Sequence, residues 1–122
     1  MSEALELVRR YLAVWNESDP DIRQASVEAL WADDGSYVDP LAEVSGHAEI
    51  SALIGMVQQQ APGHVFQLLD GVDAHHNLAR FSWELVPAEG GEPVAEGSDV
   101  AVTQDDGRIA SVLGFLDKAP AA

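Results

Sequence analysis

The stretch Ala32-Asp33-Asp34-Gly35-Ser36-Tyr37-Val38-Asp39-Pro40 decides how this chain is read. Paired aspartates before a glycine end a helix and favour a tight turn. Ser36, Tyr37 and Val38 then open a short strand, which delivers an acid, Asp39, directly before Pro40. A proline biases the residue before it toward extended backbone, so Asp39 is held at the strand end. An acid carried this way to the mouth of a sheet commonly fronts a small-molecule pocket.

Upstream of this stretch the pattern is helical. Leu5, Val8, Leu12 and Trp15 recur at helical spacing, and Leu7, Tyr11 and Val14 widen the stripe. The run Asn16 to Pro20 stops that helix. Asp19 is placed as the N-cap of a second helix with Pro20 at its first position. The second helix runs to about Trp31 and buries Ile22, Val27, Leu30 and Trp31 in part. A third, from about His47 to Gln60, turns Ile50, Leu53, Ile54 and Val57 to one face and stops at Pro62-Gly63.

Downstream the period shortens to that of strands. His64 to Asp73 is a strand, followed by a turn at His75-His76-Asn77. Leu78 to Val86 alternates Phe81, Trp83 and Leu85 with Arg80, Ser82 and Glu84. Glu89 to Pro93 is a hairpin loop, and Val94 to Thr103 returns from it. Asp105-Asp106-Gly107 is a tight turn, Arg108 to Leu116 is the last strand, and 118–122 reads as a frayed tail. The whole, 1–122, is a single α+β domain. Its antiparallel sheet curls into a cone, and the three helices of the N-terminal half cover the concave face over a cavity.

Composition narrows the function. The formal net charge is −15, which repels phosphate backbones and argues against nucleic acid as a partner. No stretch reaches the roughly 20 apolar residues of a membrane span. Met1 to Glu6 lacks the basic and apolar pattern of a secretory leader. With no cysteine, thiolate chemistry is excluded. These features suit a cytoplasmic protein. His75 and His76 do not make a metal pair, because adjacent strand residues point apart and no further ligand is suitably spaced. His47 and His64 flank the third helix and are read as surface residues. Without a nucleotide loop, haem motif or metal set, no cofactor is expected.

Tyr11-Leu12-Ala13-Val14-Trp15-Asn16, Tyr37-Val38-Asp39-Pro40, Gly46 before the third helix, and Asp106-Gly107-Arg108-Ile109 together resemble the SnoaL-like proteins of the nuclear transport factor 2-like superfamily. The resemblance covers nearly the whole chain and implies the cone-shaped, cystatin-like fold. Ketosteroid isomerase is an enzyme of that fold, and its site supplies a comparison. It implies Asp39 as general base, with Tyr11 and Asp99 as oxyanion donors, Asp99 lying eight residues before Gly107. Such a site abstracts a proton beside a carbonyl and stabilises the enolate oxygen. A tyrosine on the third helix of that enzyme is replaced by Ile54, and the segment between Asp19 and Asp39 is longer, so a steroid isomerase proper is not expected.

The expected activity is an isomerase or cyclase using acid–base chemistry on an apolar carbonyl compound. Trp15, Trp31, Trp83, Phe66 and Phe115 are core or cavity wall, and Tyr37, Ile54 and Phe81 complete the expected lining. One alternative is a non-catalytic ligand-binding or dimeric scaffold protein, with a cavity filled by Trp15, Trp31 and Trp83 or closed to solvent. Another resembles the epoxide hydrolases of this fold and needs Arg80 between two acids inside the cavity. The expected partners are a small apolar molecule in the cavity and, as the resemblance implies, a second copy of the chain on the outer sheet face.

Overall fold

A computed structural model describes residues 3–69 and 71–118. Helix α1 (Glu3–Asn16) and helix α2 (Pro20–Leu30) precede β1 (Trp31–Val38) and β2 (Glu43–Ser45). Helix α3 (His47–Gln60) follows, then β3 (His64–Leu68), β4 (Asp73–His75), β5 (Leu78–Pro87), β6 (Ala95–Thr103) and β7 (Ile109–Lys118). Lys118 ends β7 rather than opening the expected frayed tail, and 119–122 lie outside the described residues.

The α+β architecture is the expected one, and three helices lie against a curved sheet that does not close into a barrel. Its strand order is β2-β1-β7-β6-β5-β3, with β4 also on β5. The sheet is mixed rather than wholly antiparallel. β1 runs parallel to β7, while β5, β6 and β7 form an antiparallel meander. A non-local ladder of this kind joins strands far apart in the chain and has no turn signal to announce it.

Helix α2 starts as its sequence dictates: the Asp19 carboxylate accepts from the amides of Asp21 and Ile22. Its inward face differs from expectation. Ile22 is 53 % exposed, and Arg23 is buried instead. The Arg23 guanidinium donates from Nη1 to the carbonyl of Glu17 (3.2 Å) and to Gln58 Oε1 on α3 (3.1 Å), so a long side chain ties both helices together.

The Asp-Asp-Gly run is not a turn. Trp31 already has extended backbone, and β1 passes through Asp33, Asp34 and Gly35 as an irregularity, its register against β7 shifting between Trp31 and Ser36. Gly35 makes this possible, since a Cβ there would lie 2.7 Å from the Trp31 ring and 3.2 Å from the Ile109 carbonyl. The expected strand from His64 to Asp73 is likewise broken. β3 pairs with the far half of β5 and β4 with its start, separated by 69–72, within which Asp70 is not described.

Between helices and sheet lies one apolar core. Val8, Tyr11, Val27, Trp31, Ile54, Phe81 and Ile109 are almost wholly buried in it. Tyr11 sits at its centre, with ring centroids 5.6 Å from Trp31 and 5.4 Å from Phe81. Asn16 closes α1 against β3: its amide donates to the Phe66 carbonyl (2.9 Å) and its Oδ1 accepts from the Phe66 amide (2.7 Å). That pair holds Trp15 and Phe66 with ring centroids 5.4 Å apart.

Candidate functional site

Asp39 follows the last residue of β1. Tyr37 precedes it by two positions, so both side chains leave the same face. The Tyr37 hydroxyl donates to Asp39 Oδ2 at 2.7 Å. Beyond Pro40 the chain folds back, and the amides of Leu41 (2.8 Å) and Ala42 (2.9 Å) donate to Oδ1. The Asp39 amide donates in turn to the Ala42 carbonyl at 2.9 Å. The carboxylate is thereby fixed in one orientation by three donors.

Asp99 belongs to the inward row of β6, with Ala95, Gly97 and Ala101. It is 3 % exposed. Tyr11 reaches it from α1, its hydroxyl donating to Oδ2 at 2.9 Å, and Trp83 Nε1 donates from β5 to Oδ1 at 3.2 Å. Burial pushes the Asp99 carboxyl up to about 6; the Trp83 and Tyr11 donors oppose this, and the charges of Asp39 and Asp117 add to it. Burial also raises the phenols of Tyr11 and Tyr37 above the usual tyrosine range, with the Asp99 charge acting on each in the same direction.

Gly114 brings the two acids together. It faces Asp99 across the β6–β7 ladder. A Cβ built on it would stand 2.9 Å from Asp99 Oδ1 and 3.3 Å from Asp39 Cβ. The two side chains therefore flank the same point, which only glycine leaves free. Above them opens a cavity of about 190 Å³. Leu12 and Trp15 of α1, Val57 of α3, Phe66 of β3, Trp83 of β5 and Leu116 of β7 wall it, and the charged groups in its lining are Asp39 and Asp99.

Seven of the expected site residues converge here: Tyr11, Asp39, Asp99, Trp15, Tyr37, Phe66 and Trp83. Four do not. Trp31, Ile54 and Phe81 are buried in the core outside the lining, where they pack helices onto the sheet. Phe115 is 63 % exposed, because on β7 the inward row is Val112, Gly114 and Leu116 and the outward row is Leu113 and Phe115. Arg80 also lies outside, its Nη2 paired with Asp73 at 2.9 Å with both side chains exposed. The Asp–Arg–Asp group of an epoxide hydrolase-like site is therefore not assembled. Trp15 and Trp83 wall the cavity, whereas the scaffold alternative expected them to fill it. His47 is half-buried rather than on the surface, with Nε2 2.9 Å from the Trp31 carbonyl oxygen.

The sequence reading missed Leu41, Val57, Leu116 and Gly114. Val57 and Leu116 were visible only as members of apolar stripes. Gly114 interrupts an otherwise apolar strand, a signal of close approach. Among the described residues no group of three or more His, Cys, Asp or Glu side chains could hold a metal ion. Nor is any helix among them long and apolar enough to cross a membrane.

The fold and site define a class: α+β proteins with an acid-bearing apolar pocket between helices and a curved sheet. A family model described as a SnoaL-like domain matches residues 8–112. A protein from Agrobacterium tumefaciens, provisionally described as an isomerase of the SnoaL-like family, is 42 % identical. It superposes with a TM-score of 0.91 over 96 % of this chain and 99 % of that one. The chain belongs to the SnoaL-like family.

Two more distant structures share the fold. One, provisionally described as a polyketide cyclase, comes from Sinorhizobium meliloti: 19 % identity, TM-score 0.70, 93 % of this chain and 99 % of that one. The other is an NTF2-like protein of unknown function from Exiguobacterium sp.: 18 % identity, TM-score 0.71, 91 % of this chain and 98 % of that one. No curated protein matches the chain.

Proposed function

We propose that the protein is an isomerase or cyclase acting by acid–base chemistry on an apolar carbonyl compound, with Asp39 as base and Tyr11 and Asp99 as donors. The observation that carries this reading is the meeting of Asp39 and Asp99 at Gly114 beneath an apolar cavity. Asp39 is fixed by its three donors and opens to the cavity, as proton abstraction requires. Asp99, with its carboxyl pushed up to about 6, can be neutral near that pH and then carries a proton to share with an oxygen. In the proposed step the C–H bond beside the carbonyl breaks, its proton passes to Asp39, and its electron pair moves into an enolate. Tyr11 gives up its bond to Asp99 for one to the enolate oxygen. Where the enolate is conjugated with a double bond, Asp39 returns the proton to the far carbon and the compound is isomerised. Where the enolate carbon attacks a second carbonyl of the same molecule, the C=O π bond breaks, and the resulting alkoxide takes the proton back from Asp39 as the ring closes. Neither outcome needs a redox partner.

The test is exchange of α-protons into D₂O, followed by proton NMR on apolar ketones. Asp39→Asn is expected to slow the exchange by about 10²- to 10⁴-fold, the range of general-base catalysis. Equal exchange by the wild type and Asp39→Asn would remove Asp39 as the base.

We further propose that two copies pair through the outer face of β5, β6 and β7. That face carries Leu78, Leu113 and Phe115, at 36, 41 and 63 % exposure. The half-buried Val100 lies opposite Leu113 in the ladder and joins them.

A further inference from the structure

We infer that the cavity takes an uncharged compound with a single ring, its carbonyl at the carboxyl floor and its ring beneath Leu41. This rests on the acid–base reading and adds the ligand's size, charge and orientation.

Size follows from the volume. The cavity holds about 190 Å³. An apolar protein cavity of about 150 Å³ takes up benzene, whereas drug-sized ligands occupy about 300–1,000 Å³. One six-membered ring with a short substituent fills the space, and the further rings of a fused tetracycle would stand outside it.

Charge follows from the lining. It contains two aspartates and no lysine, arginine or histidine. A carboxylate or phosphate would leave water to meet like charge in apolar surroundings. A cation is drawn by the same charge but would trade its hydration shell for apolar walls. Both oxygens of each carboxyl group already accept hydrogen bonds from Tyr37, Tyr11, Trp83 and the amides of Leu41 and Ala42.

Orientation follows from exposure. Tyr11 and Asp99 are 2 and 3 % exposed, so the polar groups form the floor. Leu41 is 84 % exposed on the rim and has little to pack against. Its amide is bonded to Asp39 Oδ1, which ties the rim to the floor. A ring lying under Leu41 would give that side chain apolar cover.

Calorimetric titration tests this with four probes: acetophenone, benzoate, benzyltrimethylammonium and a four-ring steroid ketone. Acetophenone is expected to bind at least about tenfold tighter than each of the others. Asp39→Asn removes one of the two charges that repel benzoate and should narrow that gap alone, leaving acetophenone ahead of the ammonium and the steroid. Leu41→Ala should weaken acetophenone about three- to tenfold while leaving the thermal midpoint in place. Tighter or equal binding of benzoate, the ammonium or the steroid overturns the inference, as does failure of acetophenone to bind or indifference to Leu41→Ala. These outcomes are separate from the proton-exchange result: lost selectivity with Asp39-dependent exchange overturns only the ligand class, and retained selectivity without it overturns only the acid–base reading.

Discussion

At Asp99 a burial cost becomes a pH dependence. Its carboxyl is raised from 3.8 to about 6 in the folded chain, chiefly by burial. The folded state thus binds the proton more tightly than the unfolded chain does. The stability gained is fully present below about pH 4 and is lost as pH rises through about 6. Asp99→Asn removes this titration while keeping the shape. Its stability relative to wild type should rise by on the order of 3 kcal/mol between pH 4 and pH 7, read from urea unfolding at both. A constant difference across that range would contradict a buried Asp99. At this scale Tyr11, Asp39 and Asp99 were singled out through the resemblance to ketosteroid isomerase, since strand parity alone left the direction of Asp99 open. The apolar lining was not legible in the sequence. Phe81 and Trp83 share a face of β5, yet one packs under Tyr11 and the other reaches the cavity. On β7 both rows are apolar, so alternation could not choose between Leu116 and Phe115.

Among the elements, the starts of α2 and α3 follow local chemistry. Asp19 satisfies two amides of α2 that the helix leaves unpaired. Asp19→Ala should cost about 1 kcal/mol, seen as a lower urea midpoint at unchanged slope. Gly46 precedes α3 at φ 84°, a conformation that favours glycine, and no side chain caps that helix. Such caps and turns can be read from the sequence because they depend on neighbouring residues. The strands were less legible. Asp33-Asp34-Gly35 has turn chemistry, but pairing with β7 draws it into β1. The parallel β1–β7 ladder depends on partners remote in the chain, for which local preference holds no information.

For the whole molecule, the division of labour between the two sheet faces is the main result. The concave face carries the core and cavity; the outer face presents Phe115 and Leu113 to solvent. Sedimentation is expected to show a dimer, and Phe115→Glu a monomer, since a charge would be buried without a partner. A wild-type monomer at micromolar concentration would contradict the pairing. The charge of −15 opposes association, so the dimer should tighten as salt rises and screens it. The overall α+β order was readable from the change of hydrophobic period along the chain. The sheet's mixed sense and the cavity's volume arise only once the elements pack.

The most direct measurement is a ¹³C NMR titration of the Asp99 carboxyl carbon, in the wild type and in Asp39→Asn. The structure implies an inflection near pH 6, moving downward when the neighbouring negative charge is removed. An ordinary carboxylate inflection, unmoved by the substitution, would mean that the two acids do not share one apolar floor.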